Sequence, residues 1–201
     1  MQSVLLGGVA AFDAGRYAAA RDVWASIEPD EAADARLLDG LSAFADVAVR
    51  GRNSAFDGLA DRAAGVAETL AELDDHRGVD VDGVRETLAA VAADPEVLER
   101  RRPERVTVDG APVALADLGL DAALSLAVPL ADDLGYDPSP VARAVDYARA
   151  DRDSGEPGSQ FVAFVWDFVG DAEARPVAYR RLCERGDRRE ARERDVEGLF
   201  D

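Results

Sequence analysis

The chain has 201 residues, 48% hydrophobic and 32% charged, with 41 acidic side chains against 23 basic ones and a formal net charge of -18. A chain of this size buries roughly 70% of its unfolded surface, so it folds as a globular protein without a disulfide or metal staple, and a disordered or fibrous class is excluded. Every basic side chain is Arg, and Met1, His76 and Cys183 are the only residues of their kinds, which excludes a Schiff-base lysine, a G-x-x-x-x-G-K-[ST] phosphate loop and a Cys/His zinc site.

Apolar spacing predicts helices almost throughout. Leu5, Val9 and Phe12 recur at i, i+4 and i+7 ahead of Gly15, a natural stop, and Tyr17, Ala20, Trp24 and Ile27 share a second face that Pro29 ends. Leu37, Leu41, Phe44 and Ala48 mark a third helix closing at Gly51. Phe56, Leu59, Ala63, Val66 and Leu70 mark a fourth, with Asn53 as its N-cap. Short connections imply antiparallel neighbours. The acidic loop from Asp74 to Gly83 contains Asp80-x-Asp82-Gly83, an echo of a calcium loop without its terminal Glu or third aspartate. It therefore reads as an N-capping loop before a helix through Val84, Leu88 and Val91, and Asp94-Pro95-Glu96 starts another helix.

Composition changes near Pro103, which suggests a division into a helical bundle, residues 1–102, and a helical extension, residues 103–201. Val106-Thr107-Val108-Asp109-Gly110-Ala111-Pro112-Val113 alternates around Asp-Gly and predicts a small ribbon whose second arm Pro112 confines to an edge. Leu118 to Leu134 reads as a helix with a kink at Pro129, and Ser139-Pro140 caps the next one, through Val141, Val145 and Ala148. The run from Phe161 to Val169 carries one charge, Asp167, and reads as a buried core helix rather than an exposed aromatic platform. From Arg180 to Arg194, seven arginines face four carboxylates, a local reversal of the chain's charge. The predicted fold class is all-α: an antiparallel helical bundle followed by a helical C-terminal extension, with one short β-ribbon near 106–113.

The lysine-free, acid-rich composition resembles that of proteins from salt-loving archaea, in which a dense acidic surface stays hydrated and salt screens its self-repulsion. The run from Gly8 to Trp24, with Phe12-Asp13-Ala14-Gly15-Arg16-Tyr17 at its centre, resembles the opening of an archaeal and bacterial family, the domain of unknown function numbered three hundred and nine. Leu38-Asp39-Gly40-Leu41 resembles that family's L-Q-G-L stretch and Arg50-Gly51-Arg52-Asn53 its R-G-N turn. The likeness covers about residues 1 to 100 and implies a helical fold there. The same Phe-Asp-x-Gly-x-Tyr pattern also suits a tetratricopeptide-like hairpin. The family's suspected metal signature, H-x-x-x-E-x-x-[WY], falls here on Arg21, Ala25 and Glu28, so the resemblance transfers no metal site.

Candidate sites follow from what is left. Arg21 pairs well with an anion and Tyr17 lies one turn earlier, so Tyr17, Arg21, Trp24 and Glu28 form a candidate ligand pocket. Arg180, Arg181, Arg185, Arg188 and Arg189, with Leu199 and Phe200 beyond them, form a candidate partner-binding tail. The leading functional expectation is a non-catalytic protein-interaction module without a cofactor. The alternatives are an anion or small-ligand sensor at Arg21 and a carboxylate-dependent hydrolase. The negative charge argues against DNA and leaves RNA only the Arg-rich tail. No apolar run reaches the ~18 residues of a membrane helix, the opening residues lack the positive region of a signal peptide, and one Cys suits a reducing compartment, so the expected location is the cytoplasm.

Overall fold

A left-handed turn at Gly15 (φ +77°) reverses the chain between α1 (Gln2–Asp13) and α2 (Tyr17–Ala25), a conformation that glycine adopts without strain. In the computed structural model, which describes residues 1–73, 76–155 and 158–197, this turn assembles an aromatic cluster. The Phe12 ring lies 4.9 Å from Tyr17, 6.0 Å from Trp24 and 4.7 Å from Phe44 on α3 (Ala32–Arg52). Trp24 is fully buried and donates its indole N–H to the Leu5 carbonyl at 3.2 Å, so its one polar atom is satisfied.

Helices α4 (Leu59–Leu70) and α5 (Val81–Ala93) each pack on the helix before, as short connections dictate. The single turn α6 (Val97–Arg100) lies against α3, where Gly51 leaves room for Leu98: a Cβ there would come within 2.3 Å of Leu98 Cδ1. The central element is α7 (Leu120–Asp133). It packs on α1 and α2 on one side and on α8 (Pro138–Asp153) and α9 (Gln160–Gly170) on the other, and buried residues from both sides of residue 102 join one core cluster. The helix runs through Pro129 to Asp133. Finally α10 (Arg175–Glu197) lies over α8 and α9. At its start Arg175 donates to the carbonyls of Phe168 (2.8 Å) and Val169 (3.1 Å), which puts a cation on the negative end of α9.

Among the described residues the protein thus has ten α-helices and one antiparallel hairpin, β1 (Thr107–Val108) with β2 (Ala111–Pro112), as the Asp-Gly signal predicts. Asp109 (φ +52°) and Gly110 (φ +76°) form its turn, and Arg77 (φ +57°) and Gly78 (φ +75°) repeat that geometry between His76 and Val79. The two turns lie side by side: Val79 bridges to Val108, and Asp109 N–H donates to the Gly78 carbonyl at 2.7 Å. No helix of the described residues is long and apolar enough to cross a membrane.

Several local expectations need correction. Asn53 closes α3 instead of opening α4, which begins at Leu59 after the left-handed Gly58, because Asn suits either helix end and Phe56 extended the apolar pattern into the loop. Helix α2 stops at Ala25, where the Ser26 hydroxyl takes the Val23 carbonyl, so Ile27 lies beyond it. The cap of α8 is Asp137, accepting from Ser139 N–H at 2.9 Å with Pro138 in the first turn, two residues earlier than Ser139-Pro140. The stretch from Phe161 to Val169 is the expected helix, but it is not all core: Phe161, Val165, Phe168 and Val169 face inward while Trp166 stays 42% exposed.

Candidate functional site

The four residues of the expected Arg21 pocket do not converge. Tyr17 and Trp24 point into the core, Glu28 is exposed beyond the end of α2, and Arg21 emerges at the edge of the buried stripe. Arg21 lines a shallow groove of about 310 Å³ with Asp39, Ser42, Asp46 and Arg62. Its Nε donates to Asp22 at 2.8 Å, a bond that holds the guanidinium above its ordinary pKa, and its Nη1 lies 3.8 Å from Asp46. Arg62 takes the same Asp46 at 2.8 Å. The charge an anion would need is therefore already shared among carboxylates.

The one histidine belongs to a buried ionic cluster. Asp34, in the first turn of α3, is fully buried. Its Oδ1 accepts from His76 Nε2 and Arg77 Nε, each at 2.7 Å, and its Oδ2 from Arg77 Nη2 at 2.6 Å and Asp30 N–H at 3.3 Å. The two-pronged Arg77 bond holds the Asp34 carboxyl far below the usual carboxylate range against the opposing effect of burial, and His76 reinforces it. Glu31, Asp34 and His76 place three potential ligand atoms within 4.8 Å of one another. They do not suit a metal ion: the four lone-pair directions of Asp34 are occupied, and a cation would have to displace the Arg77 guanidinium. The cluster instead locks the turn at 76–79 onto α3.

A different carboxylate stands in a cleft. Asp13 ends α1, and the strap from Arg105 to Asp117 passes over it, enclosing about 480 Å³ lined by Asp13, Arg105, Pro112, Leu115, Asp117 and Gly170, among others. Asp13 Oδ1 accepts from Val106 N–H at 2.9 Å, whereas Oδ2 is buried without a hydrogen-bond partner. Burial raises the Asp13 pKa to about 6, with the Val106 bond and the Arg105 charge opposing. Nothing in the sequence distinguished Asp13 from its many fellow carboxylates, because its surroundings come from a strap more than ninety positions away. The second carboxylate of the cleft, Asp117, is exposed, so the pair of buried carboxylates that a hydrolase of the expected kind requires is not assembled here.

The Arg-rich tail is docked along half its length. Ala178 and Leu182 are buried, Arg143 of α8 reaches Glu190 at 2.8 Å and pairs with Asp187, and Arg189 donates to the nearly buried Asp151 at 2.5 Å. The Arg189 guanidinium also lies 4.3 Å over the Tyr147 ring and 3.1 Å from Glu193. Of the candidate partner residues, Arg189 is thus engaged within the chain, Arg185 is half-buried, and Arg180, Arg181 and Arg188 are exposed. Arg181 covers Phe164 at 5.6 Å, and Arg188 lies 3.9 Å from Glu184, one helical turn earlier. Leu199 and Phe200 lie outside the described residues. Among the described residues the large exposed hydrophobics are Trp166 on α9 and Val177 on α10, and Trp166 lies on the Gly170 side of α9, away from the Phe164 side that Arg181 covers. Trp166 was legible only through helical rotation, since it falls opposite Phe161, Val165 and Phe168.

The residues that carry the family resemblance do packing and turning: Phe12, Tyr17 and Trp24 form the aromatic cluster, Gly15 the left-handed turn, and Gly40 the gap that Leu70 fills. Comparison with protein-family models, with curated proteins and with solved structures finds no match to this chain.

Proposed function

We propose that this chain works in the cytoplasm as a non-catalytic protein-interaction module whose contact surface is the outer face of the α9–α10 hairpin. The observation that carries the reading is Trp166, left 42% exposed on an apolar helix. Aromatic side chains and Arg contribute most of the binding energy at protein interfaces, and Trp166 on α9 and Val177, Arg180 and Arg181 on α10 are all exposed. A fitting partner presents an apolar pocket rimmed by carboxylates. Kinship of residues 1 to 100 with the family of unknown function is proposed on packing residues alone and brings no activity with it.

The test compares native lysate captures in molar KCl with wild-type and Trp166→Ala baits. Point variants are preferable to truncation before Asp171, which would remove the buried Ala178 and Leu182. The expected result is an acidic protein retained by wild type and lost by Trp166→Ala, a change worth about 2 kcal/mol, or roughly thirtyfold in Kd. That purified protein should also shield Trp166 from acrylamide quenching, while the buried Trp24 stays unquenched throughout. Identical captures from both baits overturn the reading. Captured RNA whose retention falls steeply with salt would replace it.

A further inference from the structure

The corner where α1 turns into α2 gathers features that point to a ligand independently of the α9–α10 surface. Tyr17, the first residue of α2, is only 7% exposed. Its ring packs on Phe12 in the core, yet among the described residues its hydroxyl makes no hydrogen bond, and solvent still reaches it. A nearly buried phenol normally finds a partner for its O–H, as those of Tyr147 and Tyr179 do in Glu193 and the Asp137 carbonyl. Two guanidiniums flank this hydroxyl. Arg102 reaches over the left-handed turn, its Nη1 4.0 Å from where a Cβ on Gly15 would stand. Arg52 ends α3 beside Gly51, on which Leu98 of α6 packs, and α6 leads straight into Arg102. Among the described residues neither cation forms an ion pair. Their neighbours Arg50 and Arg100 pair with Asp46 and Asp94, and Glu99 is taken by the Ser54 hydroxyl. Two unpaired arginines at one corner are unexpected in a chain with 41 acidic side chains against 23 basic ones.

We propose that this corner binds a phosphoryl group, as inorganic phosphate or a small phosphate ester, held by the guanidiniums of Arg52 and Arg102 and by the Tyr17 hydroxyl. Guanidinium forks match phosphate oxygens in pairs, and a dianion balances the two free charges. The donors arrive from α2, from α3 and from the segment after α6. A phosphoryl group has an oxygen for each, whereas a planar carboxylate has only two. Burial raises the Tyr17 pKa, with Arg102 and Arg52 each opposing more strongly than Asp13 reinforces, so near neutral pH the phenol keeps the proton it donates and faces a net positive field. The N-terminus of α2 is no part of the site, because Asp133 accepts from its Ala18 and Ala19 N–H groups and pairs with Arg16. Glu104, exposed beside Arg102, is the carboxylate that competes with the anion.

The test follows the Cζ signals of the four tyrosines by NMR in the full chain near neutral pH, with that of Tyr17 identified by its loss in Tyr17→Phe. Inorganic phosphate and glycerol 3-phosphate are added separately, with acetate and chloride at matched ionic strength as anions of other shape. The expected result is a saturable shift of Tyr17 with phosphate, the ester or both, while Tyr136, Tyr147 and Tyr179 stay in place. Whichever binds more tightly says whether the site takes free phosphate or an ester. Arg52→Gln and Arg102→Gln should each weaken binding about tenfold or more, as loss of a charge-assisted contact implies. Arg36→Gln, at the other end of α3, should leave it unchanged. Tyr17→Phe, read from the phosphorus signal of the ligand, should weaken it several-fold. Absence of a saturable Tyr17 shift with both phosphates overturns the proposal. Equal shifts from acetate or chloride overturn it too, as does equal weakening by Arg36→Gln, because general charge would then account for the effect. The wild-type titration needs no variant to fold, so the outcome is decisive either way.

Discussion

Asp34 and Arg77, 43 positions apart, form a two-pronged ion pair in which Nε meets Oδ1 at 2.7 Å and Nη2 meets Oδ2 at 2.6 Å. The pair ties the first turn of α3 to the reverse turn at 76–79. That turn in turn bonds to the hairpin through Val79–Val108 and Asp109–Gly78. One buried carboxylate thereby joins the N-terminal helices to the ribbon that leads the chain into its second half.

Replacement of Asp34 by Asn should destabilise the fold more than loss of a surface pair such as Arg36–Glu72, because Arg77 and His76 would face a neutral amide across a buried contact. The pH dependence has a definite sign. The folded pKa of Asp34 lies below the unfolded value of about 3.9, so its stabilisation is complete above that value and is lost as pH falls below about 4. Urea titrations across that range should show wild type losing stability more steeply than Asp34→Asn; parallel slopes would remove Asp34 from the acid transition.

Glycines in the bundle separate by what a methyl group would meet. A Cβ on Gly8 would lie 2.2 Å from Trp24 Nε1 and 2.6 Å from Cδ1, atoms of a rigid ring fixed by its bond to Leu5. Gly8→Ala should therefore cost about 2–3 kcal/mol in chemical denaturation, the upper part of the overpacking range, and expose Trp24 to quencher. Gly65, mid-helix in α4 with nothing within 4 Å, offers the opposite case. Gly65→Ala should stabilise by about 0.4–1 kcal/mol through helix propensity and a less flexible unfolded chain.

The hairpin was legible because Asp109-Gly110 is a local demand: its backbone needs left-handed conformations that few residue pairs tolerate. Helices were legible because burial repeats every three or four residues, as with Leu37, Leu41 and Phe44. The sites were not, and for one physical reason. Asp34 reads as an ordinary first-turn acid until Arg77 folds onto it, and Asp13 as a surface carboxylate until Val106 crosses it. Their environments are made by segments distant in sequence, which neither spacing nor composition encodes. The Arg21 stripe failed from the opposite side, since ideal rotation placed Glu28 on a helix that stops at Ala25.

The docking of α10 should be separable from the bundle. Asp151, on α8, accepts from the Ser159 hydroxyl at 2.7 Å and from Arg189 at 2.5 Å; burial would raise its pKa, but those two bonds prevail and lower it. Removing Arg189 leaves that carboxylate unpaired and uncovers Tyr147. Arg189→Ala should cost about 1–2 kcal/mol, the low end for such a pair because the Arg189 side chain is 32% exposed. Hydrogen exchange should rise first along the second half of α10, with α1 to α5 unchanged. Uniform acceleration across the chain would mean that α10 and the bundle unfold as one unit.

Asp13 makes a stability prediction of its own, with the opposite sign to that of Asp34. An acid whose folded pKa is raised to about 6 favours folding in its protonated form, so that contribution is complete below the unfolded value of about 3.9 and is lost as pH rises through about 6. Two pH units correspond to roughly 3 kcal/mol, and solvent at this half-buried site reduces the effect to about 1–2 kcal/mol. Asp13→Asn keeps an oxygen for the Val106 N–H and removes the charge. It should therefore be more stable than wild type above about pH 7, and the gain should vanish below about pH 4. Denaturation midpoints for the two proteins at both ends of that range decide the matter. A constant difference at all pH values would mean that Asp13 is solvated in the folded protein.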